Sequence, residues 1–160
     1  MSFLSNHSHS RELSNLDDRP IVFLDSKIDR CAFLVQKVVF QARAIVINSH
    51  ADGIKAITQV LEQSSCREIH IMASGFPGCV YLGSSQLSIN TLIQYRSDLK
   101  SWFEGDRSNY SYGLPRISLY GSNVAAGDVG DEFIDKLSQI TAAEITASTN
   151  ISNQNILVKS

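Results

Sequence analysis

The segment PIVFLDS, residues 20–26, indicates the class of fold. It is short and continuously apolar, and it is bounded by Pro20 and by polar residues. Such a run is typical of a central strand in a parallel sheet, because helices cover both faces of that strand. Four further strands are predicted downstream: AIVIN (44–48), EIHIMA (68–73), RISLYGS (116–122) and EITAS (144–148).

Helical patterns separate these strands. Asp29 is predicted to cap a helix that runs to about Gln41, and Asp52 to cap a second helix. Asp128 is predicted to cap a last helix before the final strand. The residues predicted to face inward on these three helices are Phe33, Leu34, Val38 and Val39, then Ile54, Ile57 and Leu61, then Val129, Phe133, Leu137 and Ile140.

The pattern changes between the third and fourth predicted strands. CVYLG (79–83) and SQLS (85–88) are predicted to form a small hairpin or a pair of short extended pieces. A helix is predicted from about Asn90 to Phe103, followed by a long surface loop over residues 104–115. Its apolar stripe would consist of Leu92, Tyr95, Leu99 and Trp102.

Strands that alternate with helices predict an α/β fold, a three-layer αβα sandwich with a mainly parallel sheet and right-handed crossovers. The chain of 160 residues is long enough for one domain with a sizeable core. We expect a flexible leader over residues 1–19, the α/β domain over 20–149 and a polar tail over 150–160.

Composition excludes several classes of function. The chain has 14 basic and 16 acidic residues, a net charge of −2, and no basic block of the kind that nucleic-acid binding requires. No apolar run is long enough to span a bilayer, which argues against direct membrane insertion. The N-terminus has only Phe3 and Leu4 before it becomes polar, so no signal-peptide core is present and the predicted location is cytoplasmic.

The cysteines and histidines do not form a metal-binding pattern. Cys31, Cys66 and Cys79 are odd in number and none belongs to a CxxC pair, so buried free thiols in a reducing compartment are expected. The four histidines are scattered, two in the leader and two alone, at positions 7, 9, 50 and 70. We therefore predict neither a metal nor another cofactor.

Ligands of parallel sheets bind beyond the carboxyl ends of the strands, which directs attention to three turns. The turn after the first strand reads DSKIDR, which lacks the glycines of a dinucleotide site, and the chain contains no phosphate-binding GxxxxGK loop. The third strand ends in Ala73 and Ser74, where a phospho-accepting receiver domain would carry an aspartate. Neither Ser74 nor Ser122 lies in the GxSxG pattern of a nucleophile elbow.

Several blocks, in order, resemble a bacterial domain family of unassigned function. They are IVFLDS, DGIKAITQVLEQ (52–63), IHIMASGFPGCVYLG (69–83) and ISLYGSNVAAGDVGDEFIDKLSQITAAEITAS (117–148). The family is often cyanobacterial and often stands at the N-terminus of very large repeat-rich proteins. It is similar to the caspase-like fold, which implies a His–Cys dyad in Ser-His-Gly after the third strand and Tyr-Gly-Cys after the fourth. This chain departs at both positions, with Ser74 and Ser122.

Serines at these positions are not expected to catalyse hydrolysis. A serine hydroxyl is a weak nucleophile that needs an adjacent base, and Ser74 cannot be that base because a hydroxyl does not take up a proton near neutral pH. His70 lies four residues upstream on the same predicted strand, about 13 Å from position 74, beyond the roughly 3 Å reach of a base. His50 has nothing in the sequence to orient it, and Cys79 lacks a partner histidine.

The predicted cleft has a structural as well as a functional interpretation. Glycines 75, 78, 121 and 127 are expected to allow positive φ or close packing at strand ends, and Asp25 to bond the backbone of a neighbouring turn. The cleft candidates are Asp25, Ser74, Gly75, Phe76, Gly78, Gly121, Ser122 and Asn123. The candidate contact residues in the long loop are Asn109, Tyr110 and Tyr112.

Three functions from different classes follow from these residues. The favoured one is a catalytically inactive caspase-like module that binds a protein partner or a larger assembly as an accessory or linker subunit. The second is a hydrolase that uses Ser122 with a non-standard base such as His50. The third is a receptor for a peptide or small ligand, in which backbone amides near Gly75 and Gly121 bind the ligand in the emptied cleft.

Overall fold

The computed structural model describes residues 19–28, 42–104, 113–121 and 123–148. In these parts of the chain the strands are β1 (Ile21–Asp25), β2 (Arg43–Ile47), β3 (Glu68–Met72), β4 (Gly75–Phe76), β5 (Cys79–Leu82), β6 (Ser85–Ser88), β7 (Arg116–Tyr120) and β8 (Glu144–Ser148). The helices are α1 (Gly53–Glu62), α2 (Arg96–Ser101) and α3 (Gly127–Thr141).

Five strands form one parallel sheet in the order β2-β1-β3-β7-β8. All five predicted core strands are present, and the predicted α/β fold with a mainly parallel sheet and flanking helices is confirmed. The direction in which successive strands are added reverses between β1 and β3. In open α/β sheets such a switch point, at the carboxyl ends of the strands, is the usual place for a site.

Both faces of the sheet are apolar at β1, which explains the uninterrupted run in PIVFLDS. Ile21 and Phe23 belong to the larger core cluster, which also contains the buried hydrophobic residues of α1, α2 and α3. Val22 and Leu24 point to the opposite face, where they pack with other fully or nearly buried residues. The helix predicted for residues 29–41 lies outside the described residues.

The predicted start of α1 is confirmed in detail. Asp52 is the N-cap, and its Oδ1 accepts hydrogen bonds from the backbone N–H of Ile54 and Lys55, at 3.0 and 3.2 Å. The other carboxylate oxygen of Asp52 accepts a 2.8 Å bond from the Tyr95 hydroxyl, which ties α1 to the segment before α2. The predicted inward residues Ile54, Ile57 and Leu61 are buried.

The predicted start of α3 is wrong. Its N-cap is Ala126, which makes no side-chain capping bond, and Asp128 lies in the first turn. Because the helix begins at Gly127, its buried stripe is Gly130, Phe133, Leu137 and Thr141. Val129 lies one position to the side of that stripe and is 49% exposed, whereas it was predicted to face inward.

The helix predicted over residues 90–103 is shorter than expected. Turns occupy residues 89–95, and α2 covers only Arg96–Ser101. The hydroxyl of Thr91 accepts a bond from the Ser88 N–H and donates to the Gln86 carbonyl, and such local bonds compete with helical ones. The predicted apolar stripe is nevertheless buried at all four positions, Leu92, Tyr95, Leu99 and Trp102.

A second, antiparallel sheet consists of β4, β5 and β6. The hairpin of β5 and β6 was predicted, and its strands pair from Cys79 with Ser88 to Leu82 with Ser85. β4 was not predicted, and its two residues pair with β5 through Gly75–Val80 and Phe76–Cys79. Among the described helices, none combines the length and apolar character needed to cross a membrane.

Candidate functional site

The carboxyl ends of β3 and β7 lie side by side, as the predicted site requires. Met72 pairs with Tyr120, and the Ala73 N–H donates a 3.1 Å bond to the Tyr120 carbonyl, so the pairing continues to the strand ends. Ser74 follows on this edge and is exposed. Ser122 lies outside the described residues. Asn123 is exposed, and its backbone carbonyl accepts a 3.2 Å bond from the Ala126 N–H, which closes a turn.

The loop that follows β3 is held in place by backbone bonds. The Ser74 carbonyl accepts a 2.9 Å bond from the Tyr81 N–H, and the Gly78 N–H donates a 2.8 Å bond to the Val124 carbonyl. A Cβ at Gly75 would lie 2.2 Å from the Cys79 carbonyl oxygen, so this position requires glycine. The loop is therefore a well-defined structure that joins β3, β5 and the segment before α3.

The other predicted glycines serve similar structural purposes. The φ angles of Gly78, Gly121 and Gly127 are positive, at 77°, 84° and 68°. The Gly121 N–H donates a 3.2 Å bond to the Ser148 carbonyl, so it already has a partner within the protein. The amides of Gly78 and Gly121, which lie at the edge where ligand-binding amides were predicted, are therefore already bonded within the protein.

Asp25 fixes the hairpin turn onto the carboxyl end of β1. Its side chain is 1% exposed, and its two oxygens accept bonds from the Lys27 N–H at 2.9 Å and the Gly83 N–H at 2.7 Å. The Lys27 ammonium completes the contact by donating a 2.7 Å bond to the Gly83 carbonyl. This confirms the structural interpretation of Asp25, and it places the Gly83 turn over the switch point next to β1.

The hairpin turn fits this position closely. Gly83 has a φ of 63°, and a Cβ there would lie 2.0 Å from the Ala51 carbonyl oxygen. The Ser84 N–H donates a 2.8 Å bond to the same Ala51 carbonyl, and Gly83 forms an isolated bridge with Asp52. We call the contact between Asp25, Lys27 and the Gly83 turn the hairpin latch.

His70 lies within the sheet and does not reach the loop. Its Nδ1 is 3.0 Å from the Tyr120 hydroxyl, and its Nε2 is 2.8 Å from Oε2 of Glu68. The His70 and Tyr120 rings stack at 5.7 Å, and His70 shares a sheet face with its neighbour Val22. Burial lowers the pKa of His70, and the hydrogen bond that the imidazole donates to the Glu68 carboxylate only partly opposes that effect. Both ring nitrogens are therefore occupied at a distance from Ser74.

Because burial lowers the pKa of His70, the folded state binds a proton at this residue less readily than the unfolded state. The His70 contribution to the free energy of unfolding is therefore complete above the unfolded pKa of about 6.5, and it decreases as the pH falls through and below that value. We expect His70→Gln to reduce the loss of stability between about pH 8 and pH 5.5, as measured by urea unfolding at both pH values. His50→Gln, at an exposed position, is the control and should leave that difference unchanged. An unchanged difference in His70→Gln would contradict the interpretation.

His50 lies in the turn after β2, at the same edge of the sheet as the Ser74 loop after β3 and the end of β7. β1, β3 and β7 succeed β2 in the sheet, so three strand spacings separate the ends of β2 and β7, about 14 Å. The hairpin latch lies at the end of β1, which is between β2 and the other two strands. His50 is exposed, and its backbone N–H donates a 2.8 Å bond to the side-chain oxygen of Asn48.

The two described cysteines are buried free thiols, as predicted. Burial raises the pKa of the Cys66 thiol to about 11 and raises the pKa of Cys79 above its ordinary value. Both thiols are therefore protonated near neutral pH, and a protonated thiol is a poor nucleophile. Cys79 is next to the loop, yet it is 2% exposed and its sulfur contacts Gln86 at 3.8 Å. Cys31 lies outside the described residues.

A groove of about 660 Å³ lies at the opposite, amino-terminal end of β3, between the carboxyl ends of α1 and α2. It does not coincide with the predicted cleft. Its lining residues are Leu61, Glu62, Gln63, Ser64, Ser65, Cys66, Ser101, Trp102, Phe103 and Glu104.

The contact candidates Asn109, Tyr110 and Tyr112 lie outside the described residues. Where the chain is described, no three histidine, cysteine or acidic side chains are grouped as a metal site would require.

Comparisons with known proteins place the sequence near one domain family. The profile of a domain of unknown function (DUF4347) matches residues 21–155. A search of curated proteins found no significant match. Among solved structures, a chain titled "structure of pro-sf-caspase-1" is similar with 14% sequence identity and a TM-score of 0.36, over 70% of this chain. The match spans 48% of that chain, about half its length.

Proposed function

This chain belongs to the domain family of unknown function DUF4347, and we propose that it is a catalytically inactive, caspase-like module that binds other proteins. In this proposal it acts as an accessory or linker subunit of a larger assembly. The carboxyl edge of the sheet, next to Ser74, is the surface that has lost its catalytic groups and kept its shape.

The observation that carries the proposal is the state of the Ser74 loop. The resemblance implies a histidine at this position, and the chain has an exposed serine there. The loop around that serine is nevertheless held by bonds to Tyr81, Val124 and the end of β7. A well-defined loop without a base is what we expect of a site that no longer catalyses but still serves recognition.

The nucleophile side supports the same proposal. At the position where the resemblance implies a cysteine, the chain has Ser122, whose hydroxyl would need a base to attack a carbonyl. Cys66 and Cys79 have raised pKa values and are buried, so neither supplies a thiolate. His70 is engaged by Glu68 and Tyr120 within the sheet.

The two alternatives have less support. The hydrolase would need His50 as its base, and three strand spacings, about 14 Å, separate the end of β2 from the end of β7. The receptor would need free amides at the strand ends, and the amide of Gly121 already donates to Ser148. The amide of Gly78 likewise donates to the Val124 carbonyl in the segment before α3, so it already has a partner within the protein.

Hydrolase assays with the purified chain test the proposal. We expect peptide and ester substrates to be hydrolysed at the same background rate by the wild-type protein and by Ser122→Ala. The substrates should cover acidic, basic and apolar residues at the scissile bond. A circular dichroism spectrum establishes that the variant is folded. Turnover by the wild-type protein that Ser122→Ala abolishes would overturn the proposal and restore the hydrolase.

A further inference from the structure

Apolar side chains are exposed at the carboxyl edge, next to the Ser74 loop. Phe76 and Val129 are each 49% exposed, and Pro77 is exposed as well. The rings of Phe76 and Tyr81 are 5.7 Å apart. A Cβ built on Gly78 would lie 3.0 Å from Cγ1 of Val129, so the turn after Phe76 rests against α3. We call Phe76, Pro77, Tyr81 and Val129 the rim surface.

Acidic side chains border the rim surface along α3. Asp128, Asp131, Glu132 and Asp135 fall at i, i+3, i+4 and i+7, so they share one side of the helix, and all four are exposed. Glu132 lies one turn from Val129 and connects this acidic side to the rim surface. In the described parts of the chain none of the four carboxylates forms an ion pair.

Helix stability explains only part of this pattern. An acidic residue in the first turn of a helix, such as Asp128, is stabilised by the helix dipole. That effect fades beyond the first turn. Lys136, four residues after Glu132, favours a carboxylate at position 132, but neither effect accounts for Asp131 and Asp135. Carboxylates four residues apart on a helix, such as Asp131 and Asp135, repel one another. A partner of opposite charge would relieve that repulsion and complement the row next to the exposed apolar groups.

We infer that the rim surface and the acidic side of α3 together bind a basic protein segment that carries an aromatic or aliphatic side chain. The apolar side chain of the segment packs on Phe76, Tyr81 and Val129, and its lysine or arginine residues lie along Asp131, Glu132 and Asp135. The inference rests on the proposed function, because it names the partner chemistry for the same edge of the sheet. It goes beyond that proposal by specifying that the partner segment is positively charged and that it binds through one apolar side chain.

The inference is tested with synthetic peptides and the full chain. Three sets of short fluorescent peptides are compared by anisotropy: basic with one tryptophan or leucine, acidic with the same apolar residue, and basic with alanine in its place. We expect the first set to bind at least about tenfold more tightly than the other two. Its affinity should fall as the salt concentration rises, since exposed charges are screened.

Variants at exposed positions identify the surface without disturbing the fold. We expect Phe76→Ala to weaken binding of the first set about tenfold, and the pair Asp131→Lys with Glu132→Lys to abolish the preference for basic peptides. The matched control is the pair Glu62→Lys with Glu144→Lys, which makes the same change of charge at exposed positions away from the rim surface. It should leave the affinity and the preference unchanged.

Two results would overturn the inference. One is equal binding of acidic and basic peptides, or no binding of any set. The other is tight binding of the first set that neither Phe76→Ala nor the Asp131 and Glu132 reversal weakens. Either result leaves the proposed function in place if Ser122-dependent hydrolysis is absent. Conversely, Ser122-dependent hydrolysis would overturn the proposed function even if the peptide preference were found.

Discussion

Introducing Ser74→His together with Ser122→Cys is expected to create a thiol that reacts with iodoacetamide, at about pH 6, at least tenfold faster than the thiol of Ser122→Cys alone. An unperturbed cysteine has a pKa of about 8.5 and is almost fully protonated at that pH, whereas a neighbouring imidazole lowers the pKa by several units. Ser74 is exposed, so an imidazole can be accommodated there. β3 and β7 pair Met72 with Tyr120, and both substituted positions follow that pair by two residues.

The control for this experiment is Ser74→Ala with Ser122→Cys, which has the thiol but no imidazole. Labelling is measured by mass spectrometry of the peptide that contains position 122, because that separates the new thiol from the native cysteines. Cys66 and Cys79 are expected to react slowly, since burial raises the pKa of both. Equal rates with histidine and with alanine at position 74 would show that the two positions do not face each other, and would contradict the caspase-like interpretation of the edge.

Asp25→Ala is expected to lower the free energy of unfolding by about 3 kcal/mol. The substitution removes both acceptors of a buried carboxylate, and it leaves the Gly83 N–H without its partner in a place where Asp25 is 1% exposed. The Lys27 ammonium keeps its bond to the Gly83 carbonyl in this variant. Urea unfolding, monitored by circular dichroism, gives the change in free energy.

Lys27→Met distinguishes the contribution of the Lys27 ammonium to stability from that of the Asp25 carboxylate in the hairpin latch. It removes the bond to the Gly83 carbonyl but keeps the Lys27 backbone N–H that donates to Asp25. Because Lys27 is exposed, this variant should lose no more than about 1 kcal/mol. Comparable losses in the two variants, or a loss below about 1 kcal/mol in Asp25→Ala, would show that the carboxylate does not hold the hairpin.

Local sequence patterns were sufficient for the strands and for one helix start. The apolar run of β1 predicted a strand buried on both faces, and every residue of β1 is buried. Shorter apolar patterns predicted β2, β3, β7 and β8, although the last three of these have the polar residues His70, Ser118 and Thr146 at their centres. Asp52 was recognised as a cap because the contact that it makes, to the N–H groups of Ile54 and Lys55, lies within three residues. In the site, the same kind of reasoning recognised that Asp25 would bond a neighbouring turn.

Structural features that depend on a choice between possible helix starts, or on residues distant in the sequence, were not predicted. Asp128 resembles Asp52 in the sequence, but α3 begins earlier, at Gly127, and the acidic side chain is left in the first turn. β4 exists only because β5 returns beside it, so Gly75 and Phe76 carry no strand signal of their own. The identity of the turn that Asp25 binds depends on a hairpin 58 residues away, and no local pattern specifies such a contact.

The hairpin latch also bears on the order in which the chain folds. β1 pairs with β3 through Ile21 and Ile69, and β3 with β7 through Ile69 and Ile117, so these strands find each other across long stretches of chain. Such non-local contacts form slowly, because the entropy of loop closure is lost before they are made. The hairpin of β5 and β6 can form early, but it cannot seat on Asp25 until β1 is in place. Any protein that recognises this edge would therefore distinguish a completely folded chain from one still in the course of folding.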